Sequence, residues 1–394
     1  MNSIFSDVNR RTNETEGFWH TAEELRSRGL LTTVLYNGTL YYQKPNGTSK
    51  NSEFTLTSSH LFKHNNNLMK GMNINWMVFK PVPDPKNQVK KTGFNLSGLH
   101  KEKTYTAASE QESLQWVKKL RKVTIASNIE EDYHFIKQIG EGAYCTIYLA
   151  QSLHSREKHA VKQISKSNFS GGQTKKDSLV SEIKLMRKLC HPNIVNLHSV
   201  YENENYVYLV LDYIEGGDLL ARILKKGQFP EKVAAKFMQI MLDVLEHIHS
   251  QNIVHRDIKL ENILVNEHEW EFKLGDFGLA VQSSGPCQVK CGSPGYIAPE
   301  IFTKDSYDSK VDIFSVGIIL YILLSGKFPF PGSSQEEVLE ANRVCSVTYP
   351  EKYWKMISKE GIQFVGRMLN SNPRFRVSAS QAKLLPWLSK YLSA

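Results

Sequence analysis

Strand-like and helix-like patterns of hydrophobic residues fill the first third of the chain. The segment Gly38–Pro45 is rich in residues that favour β-structure, an Asn-Gly pair follows at positions 46–47, and Ser52–Ser59 alternates polar with apolar residues. Two such runs around an Asn-Gly pair predict a β-hairpin. Asn73–Lys80 and Gly93–Ser97 have a similar pattern and are predicted as further strands.

A helix is predicted to follow these strands. Ser109, three residues before Glu112, is typical of a helix N-terminus, because a serine hydroxyl caps free backbone N–H groups there. The apolar residues after it recur at helical spacing: Leu114, Trp116, Val117 and Leu120. Strands followed by one helix with a central Trp resemble a pleckstrin-homology domain, best over Phe94–Arg121.

This resemblance implies a small β-barrel with a C-terminal helix. In lipid-binding members, basic residues beside the first hairpin hold inositol phosphates, and Lys44, Lys50 and Lys63 are available here. The usual Arg of the second strand is missing, and Glu53–Thr55 stands in its place. Two interpretations remain open: binding of a phosphoinositide or anionic membrane, or a barrel that contacts proteins or covers the rest of the chain.

A short acidic stretch, Asn128–Tyr133, separates this region from a second patterned one and predicts a domain boundary. Beyond it, the strand pattern Phe135–Ile139 leads to Gly140 and Gly142. Glycines allow a backbone to approach phosphates closely. Two glycines alone are common in turns, however, and Cys145 stands where a third glycine is expected.

A lysine and a glutamate follow at positions suited to an ion pair. Lys162 ends an apolar strand segment that includes Ala160, and Glu182 lies within the helical pattern Leu179–Met186. An ammonium held by a carboxylate is suited to binding nucleotide phosphates. The alternative for this pair is an unrelated lysine and glutamate on the surface.

Three further motifs follow in order: His255–Asn262, Asp276–Gly278 and Ala298–Glu300. Together with the glycines and Lys162, they resemble the signatures of eukaryotic protein kinases, over Asp132–Leu388. The resemblance implies an α+β, two-lobed kinase fold with a β-rich N-lobe and an α-rich C-lobe, preceded by the pleckstrin-homology-like barrel. The predicted divisions are an N-terminal extension (1–27), the pleckstrin-homology-like domain (28–125), a linker (126–132), the catalytic domain (133–388) and a C-terminal tail (389–394).

By the same resemblance, the chain transfers a phosphoryl group from ATP to protein hydroxyls. Asp257 is expected to orient the hydroxyl and accept its proton, and Lys259 to neutralise the transferring group. Asn262 and Asp276 are expected to bind Mg²⁺, which prefers oxygen ligands. The residues assigned to ATP are Ile139, Gly140, Glu141, Gly142, Ala143, Tyr144, Cys145, Ile147, Ala160, Lys162, Glu182, Asp212, Ile214, Asp218 and Leu264.

The motif His255–Asn262, the catalytic loop of the family, also indicates the substrate class. In the family, a lysine at the position of Lys259 accompanies serine/threonine specificity, so Ser and Thr acceptors are predicted. Asp218 and Glu261 match positions at the substrate groove, and two carboxylates there indicate a preference for basic residues upstream of the acceptor. The sequence around Cys291–Tyr296 resembles the calcium/calmodulin-dependent kinase group.

Regulation is expected to differ from that of many relatives. The activation segment is the stretch between the motifs Asp276–Gly278 and Ala298–Glu300. In kinases with an arginine such as Arg256 before the catalytic Asp, activity often requires a phosphate on this segment. The usual phosphorylated position is Val289, and its neighbours Gln288 and Lys290 also lack a hydroxyl. Activation without phosphate at this site is therefore the hypothesis. Because the sequence ends soon after Trp387, direct calmodulin binding is not expected.

Composition limits the partners and the cellular compartment that are expected for this protein. The net charge of +9 favours anionic partners, but no basic stripe interleaved with aromatic residues predicts nucleic-acid binding. Five cysteines without paired spacing indicate free thiols, and the polar segment Met1–Arg10 lacks a secretion signal. A cytoplasmic protein with peripheral membrane association is expected. The apolar run Val311–Leu324 is too short to span a bilayer and predicts a buried helix.

Two other functions were compatible with part of these features. A catalytically inactive scaffold would normally lack Lys162, Asp257 or Asp276, but all three are present, and Cys145 is the only departure from the pattern. Alternatively, membrane tethering by the N-terminal domain is the essential function and catalysis is secondary.

Overall fold

The computed structural model forms two compact units, the first comprising Met1–Lys176 and Leu197–Tyr213 and the second comprising Asp177–Asn196 and Ile214–Ala394. The residues that the structure describes are 3–5, 8, 19–31, 33–43, 48–82, 93–98, 102–142, 144–169, 173–266 and 271–392. Lys44, the predicted turn at 46–47 and Ala143 lie outside them.

The described strands of the first unit form one sheet. Its order is β1-β5-β4-β3-β2-β8-β7-β6-β9-β13-β14-β12-β11-β10. The strands are β1 (His20–Thr21), β2 (Val34–Gln43), β3 (Ser49–Thr57), β4 (His60–Asn65), β5 (Leu68–Asn73), β6 (Val78–Val82), β7 (Gly93–Ser97), β8 (Glu102–Ala107), β9 (Ile125–Ala126), β10 (Tyr133–Gly142), β11 (Cys145–Ser152), β12 (Lys158–Ser165), β13 (Leu197–Glu202) and β14 (Tyr206–Asp212). Two helices accompany them, α1 (Ala22–Ser27) and α2 (Glu110–Leu120).

The predicted hairpin, the strand Gly93–Ser97 and the helix after Ser109 are confirmed. Strands β2 and β3 pair antiparallel, and the Ser109 hydroxyl accepts a hydrogen bond from the Glu112 N–H at 3.2 Å. Trp116 of α2 is fully buried in an apolar cluster with β-strand residues such as Phe79 and Phe94. Burial of these aromatic rings fixes the helix against the sheet.

The single strand predicted over Asn73–Lys80 is wrong. Strand β5 ends at Asn73 and β6 begins at Val78. Between them Ile74 and Met77 are buried, and the Met77 N–H donates to the Ile74 carbonyl at 3.1 Å. The chain turns here because tertiary packing of two apolar side chains overrides the local strand pattern.

The sequence analysis missed the hairpin of β4 and β5, which turns at Asn66. This residue has a φ of 52°, a left-handed conformation that asparagine tolerates better than most residues. The Asn65–Asn67 run was the available signal.

A closed barrel is not confirmed. In the described part of the chain, β6 does not pair back with β5; it pairs with β7 and with β9. The sheet therefore continues past the N-terminal region instead of closing on itself.

Strand β9 joins two parts of this sheet. Ile125 pairs in parallel with Val78 of β6 and with Val200 of β13. Both Ile125 and Ala126 are buried. The segment 126–132, assigned to a linker, thus contains one strand residue, Ala126, and a 3₁₀ helix, Ile129–Glu131, and does not run freely through solvent.

A buried carboxylate reinforces this junction. Asp132 is 4% exposed and lies 2.7 Å from the Arg121 guanidinium at the end of α2. The Tyr201 hydroxyl of β13 donates to the same carboxylate at 2.7 Å. Asp132 therefore ties α2 to β13 through charge-assisted hydrogen bonds.

The second unit is mostly helical. It contains most of α3 (Gln173–Lys188), which begins in the first unit. Its remaining elements are α4 (Leu219–Lys226), α5 (Glu231–Ser250), β15 (Ile253–Val254), β16 (Ile263–Val265), β17 (Phe272–Leu274), β18 (Val281–Gln282), α6 (Pro299–Thr303), α7 (Lys310–Ser325), α8 (Gln335–Val344), α9 (Glu351–Trp354), α10 (Lys359–Met368), α11 (Ala379–Lys383) and α12 (Pro386–Leu392).

Helix α7 is the centre of the second unit. Every residue from Val311 to Ser325 is buried, so the predicted buried core helix is confirmed. Among the described residues, no helix combines the length and apolarity needed to cross a membrane.

A buried ion pair anchors the end of α6. The Arg376 guanidinium binds the Glu300 carboxylate through two hydrogen bonds of 2.5 and 2.9 Å. Arg376 also donates to the Lys310 carbonyl at 2.9 Å, and its guanidinium lies 4.8 Å from the centre of the Phe314 ring. Phe314 thus provides an aromatic face for Arg376.

Replacement of Arg376 should destabilise the second unit strongly. Arg376→Ala leaves the Glu300 carboxylate buried without its partner, and we expect the free energy of unfolding to fall by about 3 to 5 kcal/mol. Urea denaturation of the full chain measures this change. Arg343→Ala is the matched control, because Arg343 pairs with Glu340 on the exposed surface and should change stability far less. Equal losses in the two variants would contradict the structural role of the buried pair.

Candidate active site

The predicted phosphate-binding glycines lie at the end of a hairpin in the first unit. Strands β10 and β11 pair so that Gly140 opposes Ile147 and Gly142 opposes Cys145. A Cβ atom at position 142 would lie only 3.2 Å from the Cys145 sulfur. Cys145, the departure from the usual pattern, is therefore accommodated because its neighbour across the hairpin is glycine.

Three residues assigned to ATP, Ile147, Ala160 and Lys162, share one face of the sheet. Ile147 opposes Lys162, and Ala160 opposes Leu211 of β14. Directly opposed residues point to the same face, and so do residues two apart on one strand. Val161, on the other face, is fully buried. The face with Lys162 is thus the one available to a ligand.

The other assigned residues of this unit lie at its edges. Ile139, Glu141 and Tyr144 are exposed, and the Lys175 ammonium lies 4.6 Å from the centre of the Tyr144 ring. Asp212 ends β14, and its carboxylate lies 2.7 Å from His198 Nε2. Their contact with ATP stays a prediction.

The catalytic loop of the second unit is held by one buried aspartate. Asp312 of α7 accepts the backbone N–H groups of His255 and Arg256, both at 2.9 Å. It also lies 2.9 Å from Nε2 of His249. Arg256 has a φ of 67°, a conformation that costs free energy for a non-glycine residue. The two hydrogen bonds to Asp312 hold the loop in this shape.

Asp312 is stabilised in its charged form. Burial raises the pKa of its carboxyl group, but the hydrogen bond and charge of His249 and the bonds from His255 outweigh burial, so the pKa lies below its usual value. The sequence analysis missed His249, for which the sequence offered no signal.

His255 orients the residue that follows it in the loop. Its Nε2 lies 3.0 Å from the Gly275 carbonyl, so Nε2 carries the proton and Nδ1 accepts the Asp257 N–H at 3.3 Å. The Phe277 ring packs against the His255 ring, with centroids 4.7 Å apart. The catalytic loop and the Asp276–Gly278 motif are therefore packed together.

The predicted catalytic residues Asp257, Lys259 and Asn262 form one cluster with Ser293. The Asp257 carboxylate accepts the Ser293 hydroxyl at 2.7 Å and lies 3.2 Å from the Lys259 ammonium. Lys259 in turn donates to the Ser293 hydroxyl at 2.9 Å. A carboxylate that already accepts a serine hydroxyl beside an ammonium can receive a substrate hydroxyl in the same way.

The assigned magnesium ligands also lie in this unit. The amide nitrogen of Asn262 donates to the Asp257 carbonyl at 2.8 Å, which leaves its amide oxygen available to a cation. Asp276 follows β17 and is exposed, with a φ of 54°. Two oxygen ligands fit Mg²⁺, which keeps waters and substrate phosphates as its other ligands. In the described part of the chain, no group of three or more His, Cys, Asp or Glu is placed to hold a metal.

The remaining assigned residues are placed as follows. Glu182 of α3 is buried, and its carboxylate lies near Gly278. Leu264 of β16 forms an isolated bridge with Asp218, whose carboxylate caps α4 by accepting the Ala221 N–H at 2.8 Å. Ile214 begins the second unit. Lys162 and Glu182 belong to different units, and their ion pair stays a prediction.

Comparison with known proteins identifies the family. The model of the protein kinase domain matches residues 133–388. Myosin light chain kinase A of Dictyostelium discoideum is 35% identical over 266 residues, which cover 66% of this chain and 90% of that protein. The human serine/threonine-protein kinase DCLK3 is 39% identical over 67% of this chain, which spans only 41% of that protein. Calcium/calmodulin-dependent protein kinase type 1 of Caenorhabditis briggsae is 36% identical over 67% of this chain and 74% of its own length.

The chain therefore belongs to the protein kinase family, and the predicted phosphorylation of Ser and Thr residues in protein substrates is confirmed. ATP is the phosphoryl donor of this family. Because one relative is named as calmodulin-dependent, the expectation that this chain does not bind calmodulin directly gains no support and stays a prediction.

Loss of the Asp257 carboxylate should abolish phosphoryl transfer. Asp257→Asn keeps the shape of the side chain but removes the group that accepts a proton, so we expect kcat to fall by about 10²- to 10⁴-fold. Transfer of labelled γ-phosphate from ATP to serine peptides measures it. The control is Asp243→Asn, which removes a half-exposed carboxylate of α5 that pairs with Lys383. This variant should retain activity. Similar activity of both variants would reject the role of Asp257.

Proposed function

We propose that this chain is a Mg²⁺-dependent serine/threonine kinase that prefers basic residues upstream of the acceptor and is active without a phosphate on its activation segment. The observation that carries the proposal is the contact of Ser293 with both Asp257 and Lys259. This contact joins the activation segment to the catalytic loop and places a hydroxyl group against the carboxylate that is proposed to accept the proton.

In this proposal Asn262 and Asp276 hold the metal, which supplies charge neutralisation to the phosphates of ATP. The protein's own residues perform the remaining tasks. Asp257 orients the acceptor hydroxyl and takes its proton, while Lys259 offsets negative charge on the transferring group.

Substrate preference rests on two carboxylates beside the catalytic loop. Glu261 is exposed in the 3₁₀ helix Leu260–Asn262. Asp218 begins α4, which packs against that 3₁₀ helix. A basic side chain upstream of the acceptor can pair with carboxylates on this side of the loop.

Removal of one carboxylate should weaken this preference. For a serine peptide with an upstream arginine, Glu261→Gln should raise KM roughly two- to fivefold, the effect of losing one exposed ion pair. For the same peptide with alanine in place of arginine, KM should not change. Steady-state kinetics on both peptides measure the difference, with Glu360→Gln, a change on α10, as the control. A uniform change for both peptides would argue against specific pairing.

Independence from activation-segment phosphorylation rests on residues 288–290. Gln288, Val289 and Lys290 are all exposed, and none carries a hydroxyl group to phosphorylate. Lys290 instead donates to the Phe302 carbonyl at 3.2 Å. The activity of the wild-type protein after phosphatase treatment, described in the next subsection, tests this part of the proposal.

For the N-terminal domain, we propose a pleckstrin-homology-like unit that associates with anionic membranes, in a protein that is otherwise cytoplasmic. The support is a basic pair on the first strands. Lys63 donates to the Tyr42 hydroxyl and lies over its ring at 4.6 Å. Burial raises the pKa of Tyr42, but the hydrogen bond of Lys63 and the charges of Lys63 and Lys50 outweigh it, so the pKa is lowered. Two cations near one phenol provide an anion-attracting surface.

Charge removal at this surface should weaken membrane binding. Sedimentation of the full chain with vesicles that contain phosphoinositide should show binding, and Lys50→Ala with Lys63→Ala should weaken it by roughly tenfold or more, since each lysine near an anionic surface contributes about 1 kcal/mol. Lys118→Ala with Lys122→Ala, which removes the same charge near the end of α2, is the control. Equal binding by wild type and the Lys50/Lys63 variant would reject the lipid site. It would favour a role for this domain in supporting the kinase sheet through β9.

A further inference from the structure

One tyrosine, Tyr307, binds the activation segment at two places, Cys287 and Val289. The sequence analysis did not single it out. The Cys287 N–H donates to the Tyr307 carbonyl at 2.8 Å, and the Tyr307 N–H donates to the Cys287 carbonyl at 2.9 Å. These two bonds form an antiparallel bridge between the segment and the stretch that precedes α7. The backbone of Tyr307 thus fixes the segment at Cys287.

The side chain of Tyr307 fixes it again at Val289, the position that the resemblance matches to the usual phosphorylation site. Its hydroxyl donates to the Val289 carbonyl and accepts a hydrogen bond from the Arg256 guanidinium at 3.4 Å. The Cys291 sulfur lies 3.8 Å from the same oxygen. One buried hydroxyl therefore links Arg256 to the backbone of the segment.

This hydroxyl keeps its proton across the physiological range. Burial raises the pKa of Tyr307 to about 12, with smaller opposing effects from the hydrogen bond and charge of Arg256. The phenol is therefore neutral and remains a donor to Val289. Arg256 is further satisfied by the Leu279 carbonyl, to which its Nε donates at 2.7 Å.

The backbone between Val289 and Ser293 is tightly packed at Gly292, so the placement of Val289 restricts where Ser293 can lie. Gly292 has a φ of 125°, and a Cβ atom there would lie 3.2 Å from the Arg256 carbonyl and 3.1 Å from an Ile297 side-chain carbon. Only glycine fits this crowded, left-handed position. The chain between Cys291 and Ser293 thus has little freedom, and Ser293 arrives 2.7 Å from Asp257.

We propose that Tyr307 is a positioning residue whose hydroxyl takes the place of an activation-segment phosphate, holding Val289–Cys291 against Arg256 so that Ser293 reaches Asp257. This inference rests on the proposed phosphate-independent activity. A phosphate would bind Arg256 through charge, whereas Tyr307 binds it through a neutral oxygen and binds the segment through the Val289 carbonyl. The arrangement is therefore permanent and does not need an upstream kinase.

The experiment compares full-length proteins after phosphatase treatment, with mass spectrometry to verify that residues 283–293 carry no phosphate. The unphosphorylated wild type should phosphorylate serine peptides at the same rate as untreated protein. Loss of its activity after treatment would reject the proposed phosphate independence and, with it, the role of Tyr307.

With the wild type active, Tyr307→Phe tests the positioning role. Loss of the hydroxyl should lower kcat roughly five- to tenfold, the effect of one lost hydrogen bond at a site that sets the geometry of catalysis. The KM for ATP should stay within about twofold, because Tyr307 contacts none of the residues assigned to ATP. Tyr321→Phe is the matched control: it removes a phenol that donates to the Thr348 carbonyl at 2.8 Å elsewhere in the second unit, and its kcat should match the wild type.

Hydrogen exchange separates a positioning role from general destabilisation. In Tyr307→Phe, backbone amides of residues 287–293 should exchange faster, while thermal midpoints of the two variants should be similar. The inference is overturned if Tyr307→Phe keeps the kcat of the wild type. It is also overturned if exchange at 287–293 is unchanged, or if Tyr321→Phe loses as much activity as Tyr307→Phe.

Discussion

The buried carboxylate of Asp312 is the interaction on which the catalytic geometry depends. It binds two successive backbone N–H groups of the catalytic loop, and a carboxylate with several such bonds is strongly favoured in its charged form. Those bonds hold Arg256 in a left-handed conformation, which aims Asp257 at Ser293 and the guanidinium of Arg256 at the activation segment. Without these hydrogen bonds, the backbone of the loop would not be held in the position from which its other residues make their contacts.

From that anchor, the second unit forms a connected set of polar contacts. Asp312 fixes Arg256, Arg256 meets the hydroxyl of Tyr307, and Tyr307 fixes the segment that delivers Ser293 to Asp257. Each contact is buried or partly buried, so water competes weakly and each bond restrains geometry more than it would at the surface. In the proposed function, these contacts hold the active arrangement without a phosphate on the activation segment.

The first unit depends on a different constraint, the continuity of its sheet. The two-residue strand β9 pairs on one side with β6 of the N-terminal region and on the other with β13 of the kinase region. Asp132 adds a buried ion pair across the same junction. Because backbone hydrogen bonds continue through β9, the strands of the N-terminal domain and those of the kinase region form one continuous sheet.

By itself, the sequence determined the family and its activity, because the motifs that contain Asp257, Asn262 and Asp276 resemble those of protein kinases and occur in the same order. It also predicted the cap at Ser109 and the buried helix over Val311–Leu324, since caps and apolar runs depend on neighbouring residues. Only the tertiary structure decided the break between β5 and β6, the junction at β9 and the contacts of His249 and Tyr307. These depend on residues far apart in the chain that meet through packing, and no local pattern of side chains records such meetings.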